Sequence, residues 1–178
     1  MNNPQESVNH SKKYDYRTIH QTMEKLSGGT RRLAAQLTTS ASFDSLWNVL
    51  TDYDRLNLYI PNLLSSKKIY QKNNNVHLKQ VGAQDFLGMK FSAEVTIDLF
   101  ENKELGLLKF SLINGDFRKF EGSWKIQNIK DTSKNSLIYD LTVQGCQWMP
   151  IRMIEKRLKQ DLSENLIAVD RQAKFLIN

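Results

Sequence analysis

The chain has 178 residues, 40% of them hydrophobic and 25% charged, with a net charge of +6; this is the composition of one globular domain long enough for a full hydrophobic core. No apolar run approaches the roughly 18 residues of a membrane span, and the first 30 residues lack the apolar stretch of a signal peptide, so a cytoplasmic protein is expected. A lone cysteine, Cys146, excludes an intrachain disulfide, the scattered His10, His20 and His77 argue against a histidine-built metal site, and the moderate positive charge reads as solubility before nucleic-acid binding.

Residues 1–29 are polar, rich in Asn, Ser, Gln and Lys, and close with Gly28-Gly29. They read as a tail, largely disordered, in which Ile19, Met23 and Leu26 fit either one helical turn or an edge strand. The domain proper is expected over 30–178. From Arg31 the pattern tightens: Leu33, Ala35 and Leu37 alternate with polar or small neighbours, a first strand. The segment "SASFDSLWNVLTDYDRL" then turns helical, with Phe43, Leu46, Trp47, Leu50 and Tyr53 on one face and Ser42 as N-cap. A short second helix over 55–59 ends before Pro61.

Six strands follow, over 64–71, 76–85, 90–100, 106–113, 117–129 and 136–148. The turns between them hold Asn73-Asn74-Asn75, Gly88, Asn102-Lys103, Asn114-Gly115 and the run from Asp131 to Asn135. Short connections mean antiparallel neighbours. "FSAEVTIDL" alternates cleanly between apolar and polar positions, so one face of the sheet is covered and the other wet. Pro150 then opens a long helix over 151–176, in which Ile154, Leu158, Leu162, Leu166, Val169, Ala173 and Leu176 form one apolar stripe.

A twisted antiparallel sheet with one apolar face needs a cover, and the C-terminal helix is the one element long enough to cross it. The expected fold is therefore α+β: a seven-stranded curved antiparallel sheet wrapped around a long C-terminal helix, with two short helices between the first two strands. One helix is too narrow to fill such a sheet. Space must remain between helix and strands, closed at one end by the short helices.

This order of elements resembles the START/Bet v1-like (SRPBCC) helix-grip superfamily. "FDSLWNVLTDYDRLNLYIPNL", "VGAQDFLGMKFSAEVTIDL", "GDFRKFEGSWKI" and "MPIRMIEKRLKQDLSENLIAV" are similar, in order, to blocks of its polyketide cyclase/dehydrase and coenzyme Q-binding START-like branch. The resemblance covers about residues 31–176 and implies a cavity for a hydrophobic small molecule. Its blocks specify fold and branch rather than ligand.

No catalytic residue, metal or cofactor is expected. Cys146 has no histidine near it in sequence, and no glycine-rich loop precedes a helix in the context that cradles phosphate. Glu94, Asp98, Glu121 and Asp140 alternate onto the wet face. What points inward is nearly all apolar, and the expected ligand-binding residues are Phe91, Val95, Phe110, Phe120, Gly122, Trp124, Tyr139 and Leu141 on strands and Leu158 and Leu162 on the helix, with Gln80 as a polar contact. Gly122 stands between Phe120 and Trp124 on the inward face, where it either leaves room for a ligand or relieves a bend in the sheet. Arg152, Lys156, Arg157 and Lys159 against Glu155 give +3 at the start of the long helix, a solvated face or a contact with an anionic membrane.

The function expected is binding, and with it transport or chaperoning, of a lipid, isoprenoid quinone or polycyclic aromatic molecule. The alternatives are a cyclase/dehydrase-type enzyme using the same cavity on a polyketide-like substrate, with Tyr139 or Gln80 supplying a proton contact, and a ribosome-associated, toxin-like surface binder.

Overall fold

In the computed structural model the described residues are 19–86, 88–147, 149 and 151–176, with the side chains of Gln84, Phe86, Met89, Met153 and Arg157 excepted. Residues 1–18 of the expected tail, Trp148 in the last expected strand, and Pro150 lie outside them.

The chain runs β1 (Ile19–Lys25), a 3₁₀ turn (Ser27–Gly29), β2 (Arg31–Thr39), α1 (Phe43–Thr51), a 3₁₀ helix (Tyr53–Leu58), β3 (Leu63–Lys72), β4 (Asn75–Phe86), β5 (Met89–Asn102), β6 (Leu107–Gly115), β7 (Phe117–Asn128), β8 (Asn135–Gly145) and α2 (Ile151–Phe175). One antiparallel sheet has the order β1-β2-β8-β7-β6-β5-β4-β3. This is the α+β helix-grip architecture.

The sheet has eight strands, not seven. β1 pairs with β2 from Ile19↔Leu37 to Lys25↔Arg31, so the edge strand, not a helical turn, is what residues 19–25 form. It is hard to see in sequence because its inward face carries Ile19, Gln21 and Met23, and the glutamine interrupts the apolar alternation. The structure explains that glutamine. Gln21 Nε2 donates to the carbonyl of Lys159 at 2.9 Å, and Ser163 Oγ donates to Gln21 Oε1 at 3.2 Å. A polar residue facing inward at the sheet edge is thus satisfied by the helix it packs on.

α1 begins where Ser42 Oγ accepts a hydrogen bond from the backbone N–H of Ser45 at 3.1 Å, with Asp44 in the first turn, the favourable end for a negative charge. Leu46, Trp47, Val49 and Leu50 are buried. On the wet face of the sheet, charged residues pair across strands: Arg32 with Asp140 at 2.8 Å and Lys79 with Glu94 at 2.9 Å.

α2 packs chiefly on β2, α1, β8 and β1. It is pinned to β2 at both ends. At the start of β2 the largely buried Arg31 donates to Glu155 at 2.7 Å, and this bond, with Lys25 at 3.6 Å, holds the Glu155 carboxyl below its usual range. At the end of β2 the Thr39 hydroxyl donates to the buried Asp170, which also takes a hydrogen bond from Lys174 at 2.8 Å. Burial pushes the Asp170 carboxyl up, against the opposing pull of Lys174. Leu162, Leu166 and Val169 are fully buried between these anchors, and Ala173 just beyond the second. No helix among the described residues is long and apolar enough to cross a membrane.

Candidate ligand cavity

Because α2 packs closely on the β1, β2 and β8 side, it faces the inward side of β3–β7 across a space rather than in close contact. A cavity of about 300 Å³ occupies that space, at the lower end of the roughly 300–1,000 Å³ usual for small-molecule sites. Its floor is the sheet, its roof is the Leu158–Val169 part of α2, and one end is capped by Tyr53, Leu56, Ile60 and Pro61 from the 3₁₀ helix and the segment after it.

The structure places most of the expected site residues on these walls. Gln80 comes from β4, Phe91 and Val95 from β5, Phe110 from β6, Phe120 and Trp124 from β7, Tyr139 and Leu141 from β8, and Leu158 and Leu162 from α2; all line the cavity. The aromatic members form a continuous wall. Trp124 and Tyr139 stack at 4.0 Å between ring centroids and 9° between planes, Phe110 lies 6.3 Å from Tyr139 and 5.7 Å from Phe120, and Phe117 lies 5.4 Å from Phe120. Stacked and tilted rings at these separations fix one another's orientation, so the wall is pre-formed.

Gly122 is a correction. It does not line the cavity: it pairs with Phe110 on β6 and Leu141 on β8, and a Cβ built on it would stand 2.1 Å from the backbone oxygen of Asp140 and 2.8 Å from Phe110 Cζ. The space that a side chain would take is filled by the main chain of the neighbouring strand and by the phenylalanine ring. The glycine permits a close approach of backbones, and the gap it leaves in the aromatic alternation is closed by protein.

The polar groups of the cavity are few and gather at two places. Gln80 Nε2 donates to the buried Ser66 Oγ at 3.2 Å. On the opposite side Asn62 Nδ2 donates to Asp161 Oδ1 at 3.3 Å, with Asn165 one turn further along α2. The Tyr139 phenol is pushed up, first by burial and then by the negative charge of Asp161, so it stays a neutral hydroxyl at ordinary pH. Tyr53, at the capped end, donates to Glu101 at 2.5 Å and is likewise pushed up, chiefly by burial.

Asn62, Asp161 and Asn165 are lining residues that the sequence reading passes over. A signal for two of them is present: Leu158, Asp161, Leu162 and Asn165 follow the three- and four-residue spacing of one helical face, so an acid and an amide interrupt an otherwise apolar stripe. Asn62 has no such signal. It holds a positive φ of 62° and its carbonyl accepts from Ala83 N–H at 2.9 Å, a placement set by the fold around it. Among the described residues no group of three or more His, Cys, Asp or Glu side chains converges to hold a metal ion.

Residues 39–170 match the family model described as polyketide cyclase/dehydrase and lipid transport. No curated protein matches the sequence. Among solved structures, a STAR-related lipid transfer protein from Xanthomonas axonopodis is similar with a TM-score of 0.77 at 11% identity, over 91% of this chain and 97% of that one. The Zhui aromatase/cyclase from Streptomyces sp. R1128 gives 0.72 at 13% identity, over 84% and 96%. Human StAR-related lipid transfer protein 5 gives 0.72 at 6% identity, over 90% and 84%. At these identities the likeness is one of fold.

Gly122→Ala is expected to lower stability by about 1–3 kcal/mol, the usual cost of overpacking a filled site, because the β8 backbone must move. Chemical denaturation measures this. An unchanged midpoint would mean that the space beside Gly122 is open after all.

Proposed function

The chain belongs to the polyketide cyclase/dehydrase and lipid transport family, and from that premise we propose that it is a binding protein for a hydrophobic small molecule such as a lipid or isoprenoid quinone. The observation that carries this reading is the cavity of about 300 Å³ walled by Phe91, Phe110, Phe117, Phe120, Trp124 and Leu141. Apolar surface facing an unfilled space gains little from folding alone, whereas an apolar ligand entering it removes surface from water on both partners. As a carrier the protein acts in the cytoplasm.

A second reading, a cyclase- or dehydrase-type enzyme on a polyketide-like substrate, is favoured by one observation: a neutral phenol, Tyr139, and a carboxylate, Asp161, meet in the same cavity. The apolar wall would then fold the substrate and the pair would handle a proton. Turnover of a poly-β-ketone analogue by the protein, abolished in Tyr139→Phe, would favour the enzyme; binding without turnover favours the carrier.

Ala93 lines the cavity from β5 and is half-buried. Ala93→Trp should abolish binding of the neutral fluorescent probe N-phenyl-1-naphthylamine while leaving the melting midpoint unchanged or raised, because the added ring fills a void. Full probe binding by this variant would locate the probe elsewhere and remove the cavity from the account.

A carrier must load from somewhere, and the reading includes a contact with anionic membranes through the first half of α2. Arg152, Lys156 and Lys159 are exposed there, while Glu155 on the same turns is engaged by Arg31 and Lys25. The side chain of Arg157, expected in the same patch, lies outside the described ones. Each exposed base near such a surface contributes about 1 kcal/mol. Replacing Arg152, Lys156 and Lys159 with glutamine should weaken binding to vesicles containing phosphatidylserine, less so as salt rises. Vesicle binding that is equal for the two proteins at low salt would rule this patch out.

A further inference from the structure

We infer that the cavity holds its ligand by a neutral hydroxyl group, which accepts a hydrogen bond from the Tyr139 phenol and donates one to the side-chain oxygen of Asn165. The inference rests on the cavity being the ligand site proposed above and adds the polar contact that orients its occupant.

Two unpaired polar groups in one apolar chamber carry it. Asn165 Oδ1, on α2, is buried and accepts no hydrogen bond among the described residues. Tyr139, on β8, is only 7% exposed. Its ring packs on those of Trp124 and Phe110, and its hydroxyl makes no hydrogen bond among the described residues. Both side chains line the cavity, Tyr139 from the floor and Asn165 from the roof, and the elements that carry them pack together. The other polar groups on the walls are engaged or wet. Gln80 donates to Ser66 and Tyr53 to Glu101. Asn62 donates to Asp161, which has a further interaction besides, and Ser92 is exposed.

A buried polar atom left unpaired costs the fold stability, and nearly all such atoms in folded proteins find a partner. A ligand hydroxyl supplies both missing partners, since it has one hydrogen to give and lone pairs to receive. Tyr139, kept a neutral phenol by its burial and by the charge of Asp161, donates to it, and Asn165 Oδ1 takes its hydrogen. The apolar body then lies along Phe110, Phe120 and Trp124. An ether accepts from Tyr139 but leaves Asn165 unpaired, and a hydrocarbon leaves both. The ranking expected is hydroxyl, then ether, then hydrocarbon.

The test is isothermal titration calorimetry of the full chain at pH 7 with 2-naphthol, 2-methoxynaphthalene and 2-methylnaphthalene, one flat apolar body with three different ends. 2-Naphthol is expected to bind about tenfold tighter than 2-methylnaphthalene, with the ether between them. Tyr139→Phe keeps the ring stack and should cut that advantage about threefold or more, as should Asn165→Leu. Equal affinities for the three, or an ether matching 2-naphthol, overturn the inference and leave the cavity reading standing. So does an undiminished advantage in either variant when folded. The ranking on the unmodified chain is decisive even where a variant fails to fold. If none of the three binds while N-phenyl-1-naphthylamine does, the inference falls and the cavity reading stands; if that probe does not bind either, both fall.

Discussion

The clamp of α2 along a single strand sets up everything else. Arg31 and Thr39 stand eight residues apart at the two ends of β2 and hold Glu155 and Asp170 on the helix. Eight residues of strand span about 26 Å and the fifteen residues from 155 to 170 span about 23 Å of helix, so the two elements match in length and lie side by side. Gln21 adds a third tie between those ends by holding the carbonyl of Lys159. A helix about 10 Å wide over strands about 4.8 Å apart covers roughly two of them fully. Fixed over β2 and its neighbours, α2 faces the strands from β7 to β3 across a space rather than packing closely on them.

That apolar face must be met by something. At one end the meeting is made by protein: α1 and the following 3₁₀ helix bring Leu50, Tyr53 and Leu56 against it. In the middle it is not, and the side chains there arrange themselves around a void. Because Trp124, Tyr139, Phe110, Phe120 and Phe117 brace one another, the void does not close by collapse of its wall. The cavity is thus a consequence of where the helix is held, and the functional reading follows from the same clamp that stabilises the fold.

The fold was legible where local chemistry and burial agree. Alternation in "FSAEVTIDL", the N-cap at Ser42 and the long stripe of α2 each carry their own period, and the match to the START/Bet v1-like helix-grip fold follows from their order. β1 was obscured because its inward glutamine is satisfied by the helix, a tertiary arrangement that no local pattern announces. Gly122 shows the opposite failure: its spacing between Phe120 and Trp124 fixed the face on which it sits, while the approach of the Asp140 carbonyl depends on how two strands bend together. Asp161 and Asn165 were readable as polar interruptions of the α2 stripe. Asn62 was not, since its role comes from a loop brought to the helix by the whole sheet.

The central claim is that the space between α2 and β3–β7 holds a small apolar molecule. The most direct measurement is mass spectrometry, under native and denaturing conditions, of the chain purified without detergent from its own host. The account predicts one additional small molecule per chain under native conditions, released on denaturation and missing from Ala93→Trp. A bare chain under native conditions, both as purified and after incubation with a lipid extract of the host, would contradict it.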